Sequence, residues 1–292
     1  MKVVLKSLTA LAVLAALAVP FVQNGMHKEF NALSGGQFLD SSQVHYQGRN
    51  EPKVRPAIFA PLSSKTQVVP DFASIYDVNE RKHVFFSYLL PAIEETNERI
   101  SQQRESLLNL AKAHAEGRQL TDAETQWLDR LSNYYRVDEA NLDMQFRALV
   151  ARVDIVPATV VLIQAANESG WGTSRFATEG LNFFGQWCWT PGCGMVPGAR
   201  PEGQVYEVRS FDSMEASVME FVRNINTHFA YEELRAMRMH ERRSDDTVSS
   251  ATITAGLMSY SERGQDYIDE LNQMIRINRP IIEAVQIANV SS

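Results

Sequence analysis

The sequence has little of several features that mark particular kinds of protein. Only two cysteines and six histidines occur among 292 residues. The histidines form neither a close pair nor a zinc-ligand spacing, so we expect no metal and no cofactor. Acidic residues outnumber basic ones by 35 to 28, and the formal net charge is −7. This balance argues against binding through phosphate neutralisation, so no nucleic-acid partner is expected.

Uncharged apolar runs are also scarce, but the chain begins with one. The run over residues 8–22 follows Lys2 and Lys6, which is the layout of a secretory signal, and it is short for a membrane-spanning helix. An uncleaved anchor is the alternative, because no clean cleavage site follows. We therefore expect residues 1–25 to be a signal peptide or an N-terminal anchor. The protein would then be periplasmic or secreted, and associated with the inner membrane if the segment is retained.

The two cysteines lie close together in the stretch CWTPGC. Pro191 and Gly192 between them favour a turn that brings Cys188 and Cys193 together. In an oxidising compartment this pair predicts a disulfide that pins a small loop. The alternative is a pair of free, partly buried thiols.

The first half of the chain divides into an irregular and a helical part. Residues 26–77 are rich in glycine and proline and predict an extended linker or arm. Residues 78–139 carry apolar side chains at three- and four-residue steps, which predicts a helical N-terminal region. A kink or break is expected at Pro91. Thr121 and Glu124 have the spacing of a capping box that begins another helix.

The second half predicts the main domain, over residues 140–280, followed by a C-terminal tail over residues 281–292. After Pro157 a nearly continuous apolar run predicts a buried central helix that ends at Gly170. The alternating pattern over residues 203–211 predicts a strand in a small β-lobe. The fold class is therefore mostly α, or α+β, with little strand.

One acid, Glu168, stands at the end of that central helix. Its helical face carries Gln164 and otherwise apolar residues, and burial of a carboxyl group raises its pKa. A carboxylic acid that keeps its proton near neutral pH suits a general acid, and glycosidases commonly use glutamic acid in this role. The alternative is an ordinary solvated glutamate near a helix end. Aromatic faces that could contact sugar rings follow in the sequence: Trp171, Phe183, Phe184, Trp187 and Trp189.

This stretch resembles the signature of the glucosaminidase family of peptidoglycan hydrolases. The first motif of the family is matched by Glu168, Ser169, Gly170, Trp171, Gly172, Ser174, Phe176, Ala177, Asn182, Phe183, Phe184 and Gly185. A second element is similar to SYSERGQDYIDEL and gives Tyr260, Ser261 and Tyr267. The resemblance extends over residues 140–278, and the helical residues 85–107 are more similar to the Bax branch than to the flagellar one.

The resemblance implies a lysozyme-like, α-rich domain with a cleft, and it implies peptidoglycan glycan strands as the partner. The reaction would be cleavage of the β-1,4 bond after N-acetylglucosamine. Glu168 would be the general acid, and Tyr260 would place a hydroxyl close to the reacting sugar. The residues expected to contact substrate are Gln164, Trp171, Asn182, Phe184, Trp187 and Tyr267.

A second carboxylate, which many members of the family place in the β-lobe, has no clear counterpart here. Glu202 and Glu207 are the nearest substitutes, and for each of them an ordinary position on a hairpin surface is the alternative. If neither serves, the acetamido group of the substrate would assist departure of the leaving group.

Our leading hypothesis is an exported, metal-independent peptidoglycan N-acetylglucosaminidase. A lytic transglycosylase on the same kind of fold is the first rival. A wall-binding or scaffold protein that has lost turnover is the second, and the missing second acid supports it. Endoglycosidases of glycoproteins and amidases rank below peptidoglycan cleavage.

Overall fold

The structure is a computed structural model, and it describes residues 68–198, 200–244 and 247–290. The predicted signal or anchor, and the predicted arm up to residue 67, lie outside the described residues. In the described part of the chain no helix combines the length and apolar character needed to cross a membrane.

Helices dominate the described residues, and the fold is mostly α with a small β-lobe, as predicted. The α-helices are α1 (Val78–Ala115), α2 (Asp122–Tyr135), α3 (Leu142–Arg152), α4 (Ala158–Ser169), α5 (Arg175–Thr178), α6 (Met214–Thr227), α7 (Glu232–Ser244), α8 (Ser250–Ala255) and α9 (Gln265–Val290). Short 3₁₀ turns cover Phe72–Ser74 and Phe229–Tyr231. The strands are β1 (Trp187–Cys188), β2 (Gly194–Met195) and β3 (Glu207–Arg209).

A kink or a break was predicted at Pro91; helix α1 continues through that residue, so the break is wrong and the kink stays a prediction. Proline in a helix interior costs about 3 kcal/mol because it removes a hydrogen bond and crowds the preceding turn. Leu89, Leu90 and Ile93 beside it are fully buried. Burial of large aliphatic side chains contributes about 1.5–3 kcal/mol each, which is enough to hold this helix in place despite the proline.

The predicted N-terminal helical region shares one hydrophobic core with the rest of the described chain. Helix α1 packs against α4, α6 and α9, and buried residues from all four helices form one cluster. Helix α9 continues to Val290, so the boundary predicted at residue 281 falls inside a helix. Ile282 and Val285 beyond that point are buried, so this end of α9 packs on the same core.

The turn before α4 is fixed by a buried ionic cluster. Asp154 is 2% exposed and faces Arg104, Arg238 and Arg242, with its shortest contact at 2.7 Å to Arg242. Burial alone would raise the pKa of Asp154, but the three arginine charges outweigh it and hold that pKa below its ordinary value. The cluster connects α1 and α7 to the turn that leads into α4.

The β-lobe is a three-stranded antiparallel sheet in the order β1-β3-β2. Trp187 pairs with Val208 on one side of β3, and Met195 pairs with Val208 on the other. Cys188 and Cys193 are joined by a disulfide between the end of β1 and the loop before β2. The strand predicted over residues 203–211 is limited to Glu207–Arg209.

Candidate active site

The motif after α4 folds as a tight left-handed turn. Gly170, Trp171 and Gly172 have φ angles of 58°, 60° and 78°, so three successive residues adopt a conformation that favours glycine. Gly170 caps α4 as predicted. The Ser169 hydroxyl donates to the Ala165 carbonyl at 2.6 Å and accepts from the Gly172 amide at 2.8 Å. Much of the motif therefore builds the turn itself.

This turn is held against the N-terminal helix. A Cβ on Gly172 would lie 2.4 Å from the ring of Phe72, so only glycine fits there. The Trp171 ring packs 5.8 Å from Phe85 and 5.4 Å from Phe86, and Lys82 Nζ lies 5.1 Å from its centre. The Trp171 ring therefore joins the turn to α1, and its substrate contact stays a prediction.

Glu168 lies in the last turn of α4 and is partly buried. Its Oε1 accepts a hydrogen bond from the Tyr267 hydroxyl at 2.7 Å, and Asn167 Nδ2 lies 3.5 Å from the same oxygen. Among the described residues none donates to Oε2. That oxygen lies 3.8 Å from the position that a Cβ on Gly185 would occupy. One carboxyl oxygen is thus held by the protein, and the other lies beside a glycine.

The Tyr267 hydroxyl also contacts Gln164, one helical turn before Glu168. It lies within hydrogen-bond range of both Gln164 Oε1 and Glu168 Oε1, although a hydroxyl has one proton. Gln164 Nε2 is buried and has no hydrogen-bond partner among the described residues. The Tyr267 hydroxyl thus lies between Gln164 Oε1 and Glu168 Oε1. These two contacts fix the ring of Tyr267 beside the carboxyl group of Glu168.

The surroundings favour a protonated Glu168. Burial raises the pKa of its carboxyl group, and the hydrogen bond from Tyr267 opposes part of that shift. The charge of Glu270 adds to the rise, and the charge of Arg263 opposes it. These two side chains form an ion pair of 2.6 Å. The site therefore contains an acid that keeps its proton to a higher pH than an exposed glutamate does.

Asn182 and Phe184 stabilise the loop that carries Gly185. Asn182 is 1% exposed; its amide donates to the carbonyls of Gln186 and Arg209 and accepts from the amides of Phe184 and Gln186. Phe184 is 1% exposed and stacks on Phe221 with ring centres 4.2 Å apart. Both side chains hold the loop that places Gly185 beside Glu168, and their substrate contacts stay predictions.

Tyr260 is separated from Glu168 by the ring of Tyr267. Its hydroxyl donates to the Phe184 carbonyl at 2.9 Å, and its ring stacks on Tyr267 with centres 5.7 Å apart. The hydrogen bond to Glu168 is made by Tyr267, and the role of Tyr260 close to the reacting sugar stays a prediction. Tyr231, which the motifs did not indicate, is buried with its ring 6.4 Å from Tyr260. Burial, together with the nearby charge of Glu168, raises the pKa of Tyr231.

The β-lobe acids occupy different surroundings. Glu207 is 6% exposed, and its two oxygens accept from the amides of Gly192 at 3.0 Å and Gly194 at 2.8 Å. These hydrogen bonds hold the pKa of Glu207 below its ordinary value. Potential metal-ligand atoms of Glu207, Cys188 and Cys193 lie within 4.8 Å of one another, but the two sulfurs are bonded to each other. Glu202 is exposed.

The remaining predicted contact, Trp187, is partly buried in β1. Its ring meets Tyr206 edge-on with centres 4.6 Å apart. The backbone runs from Gly185 through Gln186 into this strand, so Trp187 lies two residues beyond the position next to Glu168.

Comparison with known proteins assigns the family. Residues 144–279 match the glucosaminidase family, described as Mannosyl-glycoprotein endo-beta-N-acetylglucosaminidase. The chain is also 32% identical over 224 residues to Protein bax of Escherichia coli strain K12, covering 76% of this chain and 78% of that protein. The chain belongs to the glucosaminidase family. It is a Bax-like member, and no solved structure matches it. The family domain supports a peptidoglycan-related glycosidase that binds glycans.

Sequence reasoning missed three parts of this glucosaminidase site. Gly185 was only a motif position, whereas its backbone packs beside the Glu168 carboxyl group. Tyr231 lies in a short 3₁₀ turn with no periodic pattern to reveal it. Glu270 follows Tyr267 by three residues on α9, and this helical spacing is the signal that could have placed it near the site.

Proposed function

We propose that the protein is an exported peptidoglycan hydrolase that cleaves the β-1,4 bond after N-acetylglucosamine, with Glu168 as the general acid. The observation that carries this proposal is the environment of Glu168. Its carboxyl group has a raised pKa, one oxygen is oriented by Tyr267, and the other lies beside Gly185. A neutral, oriented acid is what departure of a sugar alkoxide requires.

In the proposed reaction Glu168 donates its proton from Oε2 to the glycosidic oxygen as the bond to the anomeric carbon breaks. The anomeric carbon gains positive character in the transition state. Tyr267 acts as a positioning residue, because its hydroxyl fixes the orientation of the carboxyl group and supports the carboxylate that forms.

The second half of the reaction is assigned to the substrate. Glu207 is an unsuitable base because backbone amides bond both of its oxygens, and Glu202 is exposed in the loop before β3. The carbonyl oxygen of the N-acetyl group would bond to the anomeric carbon and form an oxazolinium ion. Water then adds to that carbon, the acetamide is restored, and a proton returns to Glu168.

Export is supported by the disulfide, because disulfides persist mainly in oxidising compartments. A periplasmic or secreted location, with residues 1–25 as signal or anchor, belongs to the same proposal.

Digestion of purified sacculi by the wild type and by Glu168→Gln tests the function. We expect the wild type to release soluble glycan with reducing N-acetylglucosamine ends, and the variant to lose about 10³-fold in rate. Equal release by both proteins contradicts the role of Glu168. Anhydro-muramyl ends, detected by mass spectrometry, would instead identify a lytic transglycosylase. Sacculus binding without release by the wild type would identify a scaffold.

A further inference from the structure

The loop closed by the disulfide presents an exposed tryptophan. Trp189 is 69% exposed, although it lies between the disulfide-bonded Cys188 and a tight turn. Large aromatic side chains bury more apolar area than most residues when they find a partner, so an exposed one close to a candidate site can add to binding.

Three kinds of contact order the backbone of this loop: a disulfide, a turn hydrogen bond and hydrogen bonds to Glu207. The disulfide closes it, and the Cys193 amide donates to the Thr190 carbonyl at 3.0 Å. The carboxylate of Glu207 accepts from the amides of Gly192 and Gly194 on its inner side. A side chain on such a loop loses little conformational freedom on binding, because the backbone is already ordered.

The position of the loop relates it to Glu168. The chain leads from Gly185, beside the Glu168 carboxyl group, through Trp187 to Trp189. Four residues span at most about 14 Å, so the two sites lie within reach of one extended polymer. A glycan strand continues on both sides of the bond that is cut, and its sugar rings carry flat faces of C–H groups that pack on indole rings.

We infer that Trp189 is a glycan-binding residue outside the cleavage site, contacted by a sugar ring of the strand some distance from the scissile bond. This inference rests on the proposed function, because it extends the path of the same substrate. Glu207, the disulfide and the Thr190–Cys193 turn together order the backbone that carries Trp189 before the strand arrives. The acid of the β-lobe thus serves binding through the loop rather than chemistry.

The test measures binding without turnover. In the Glu168→Gln background, Trp189→Ala should weaken binding to peptide-free peptidoglycan glycan strands about tenfold. Trp189→Phe, which keeps a flat face, should recover part of that loss. Tyr76→Ala removes an aromatic ring that is 90% exposed ahead of α1 and serves as the matched control, with unchanged binding expected.

Kinetics in the active protein separate this inference from the proposed function. Trp189→Ala should raise KM for long strands and leave kcat unchanged, with no effect on the shortest cleavable fragment. Unchanged strand binding in the Trp189→Ala variant overturns the inference even if Glu168 is confirmed as the acid. If no hydrolysis is found but Trp189 still controls binding, the proposed function fails and the binding residue stands. If Trp189→Ala weakens binding to anionic lipid vesicles but not to glycan strands, the surface contacts a membrane and the inference is overturned.

Discussion

Glu168 is partly buried and Glu207 is buried, and their surroundings shift the two pKa values in opposite directions. Around Glu168 burial dominates, and a single tyrosine hydroxyl donates strongly to it, so the pKa of its carboxyl group rises. Around Glu207 two backbone amides donate to the carboxylate, so its pKa falls. The comparison teaches that burial and hydrogen bonding compete: burial has the largest influence on the pKa of Glu168, whereas the backbone amides have the largest influence on the pKa of Glu207.

The largest effect on the hydrolysis rate should follow from removing the acidic proton of Glu168. Glu168→Gln keeps the shape of the side chain but cannot donate an acidic proton, so the rate should fall about 10³-fold. The thermal unfolding midpoint at neutral pH should be equal to or higher than that of the wild type, because the amide stays neutral in this partly buried position without having to hold a proton. A marked fall in that midpoint would mean that Glu168 serves stability.

The same carboxyl group predicts the pH dependence of activity and stability. Activity needs the protonated form, so kcat should fall as the pH rises through the raised pKa of Glu168. Because the folded state holds this proton more tightly than the unfolded state, the associated stability is complete below the unfolded pKa and is lost as the pH rises through the folded pKa. Thermal unfolding across this range, compared with Glu168→Gln, measures the difference.

The next largest effect concerns the stacked tyrosines. Tyr267→Phe removes the hydroxyl that bonds Glu168, so we expect a rate about 10- to 100-fold lower. Loss of that donor should also raise the pKa of Glu168 further and move the alkaline limb of the kcat profile to higher pH. Tyr260→Phe is the matched control, because its hydroxyl bonds the Phe184 backbone instead. Equal profiles for the two variants would contradict the positioning role of Tyr267.

A smaller effect on activity is expected from the β-lobe acid. Glu207→Gln leaves one acceptor oxygen for two backbone amides, so the unfolding midpoint should fall while hydrolysis of the shortest cleavable fragment is kept. In the wild type, the stability from Glu207 is present above the unfolded pKa and is lost as the pH falls through the lowered folded pKa. Glu202→Gln, in the same lobe but exposed, should change neither quantity. Loss of hydrolysis of the shortest cleavable fragment in Glu207→Gln would make it the second catalytic group.

The smallest effect should come from the ion pair beside the site. Glu270→Gln removes a charge that raises the pKa of Glu168, so the alkaline limb of the kcat profile should move slightly to lower pH. Salt weakens interactions between partly exposed charges, and the shift should shrink at high ionic strength. A shift in the other direction would contradict the electrostatic role of Glu270.

The sequence predicted those parts of the fold whose causes are local. The capping box of Thr121 and Glu124 is present as predicted, because both partners lie within one helical turn. At Pro91 the sequence left a kink or a break open, because the outcome depends on side chains from other helices that bury Leu90 and Ile93.

At the site, too, local features were predictable from the sequence and contacts between distant residues were not. Glu168 was found from the apolar face of its own helix, whereas its hydrogen bond to Tyr267 joins residues 99 positions apart. The motif identified Trp171 but not its partner, and packing against α1 decides that the ring supports the turn. Residue types therefore pointed to Glu168, and only the tertiary contacts show which side chains pack around it.

The most direct test is a titration of both glutamates in one sample. Carbon-13 NMR of side-chain carboxyl-labelled glutamate, assigned with Glu168→Gln and Glu207→Gln, gives the two pKa values together. We expect the pKa of Glu168 above, and that of Glu207 below, the ordinary glutamate value of about 4.3. The alkaline limb of kcat should follow Glu168. A Glu168 that titrates at or below the ordinary value would contradict the assignment of this residue as the general acid.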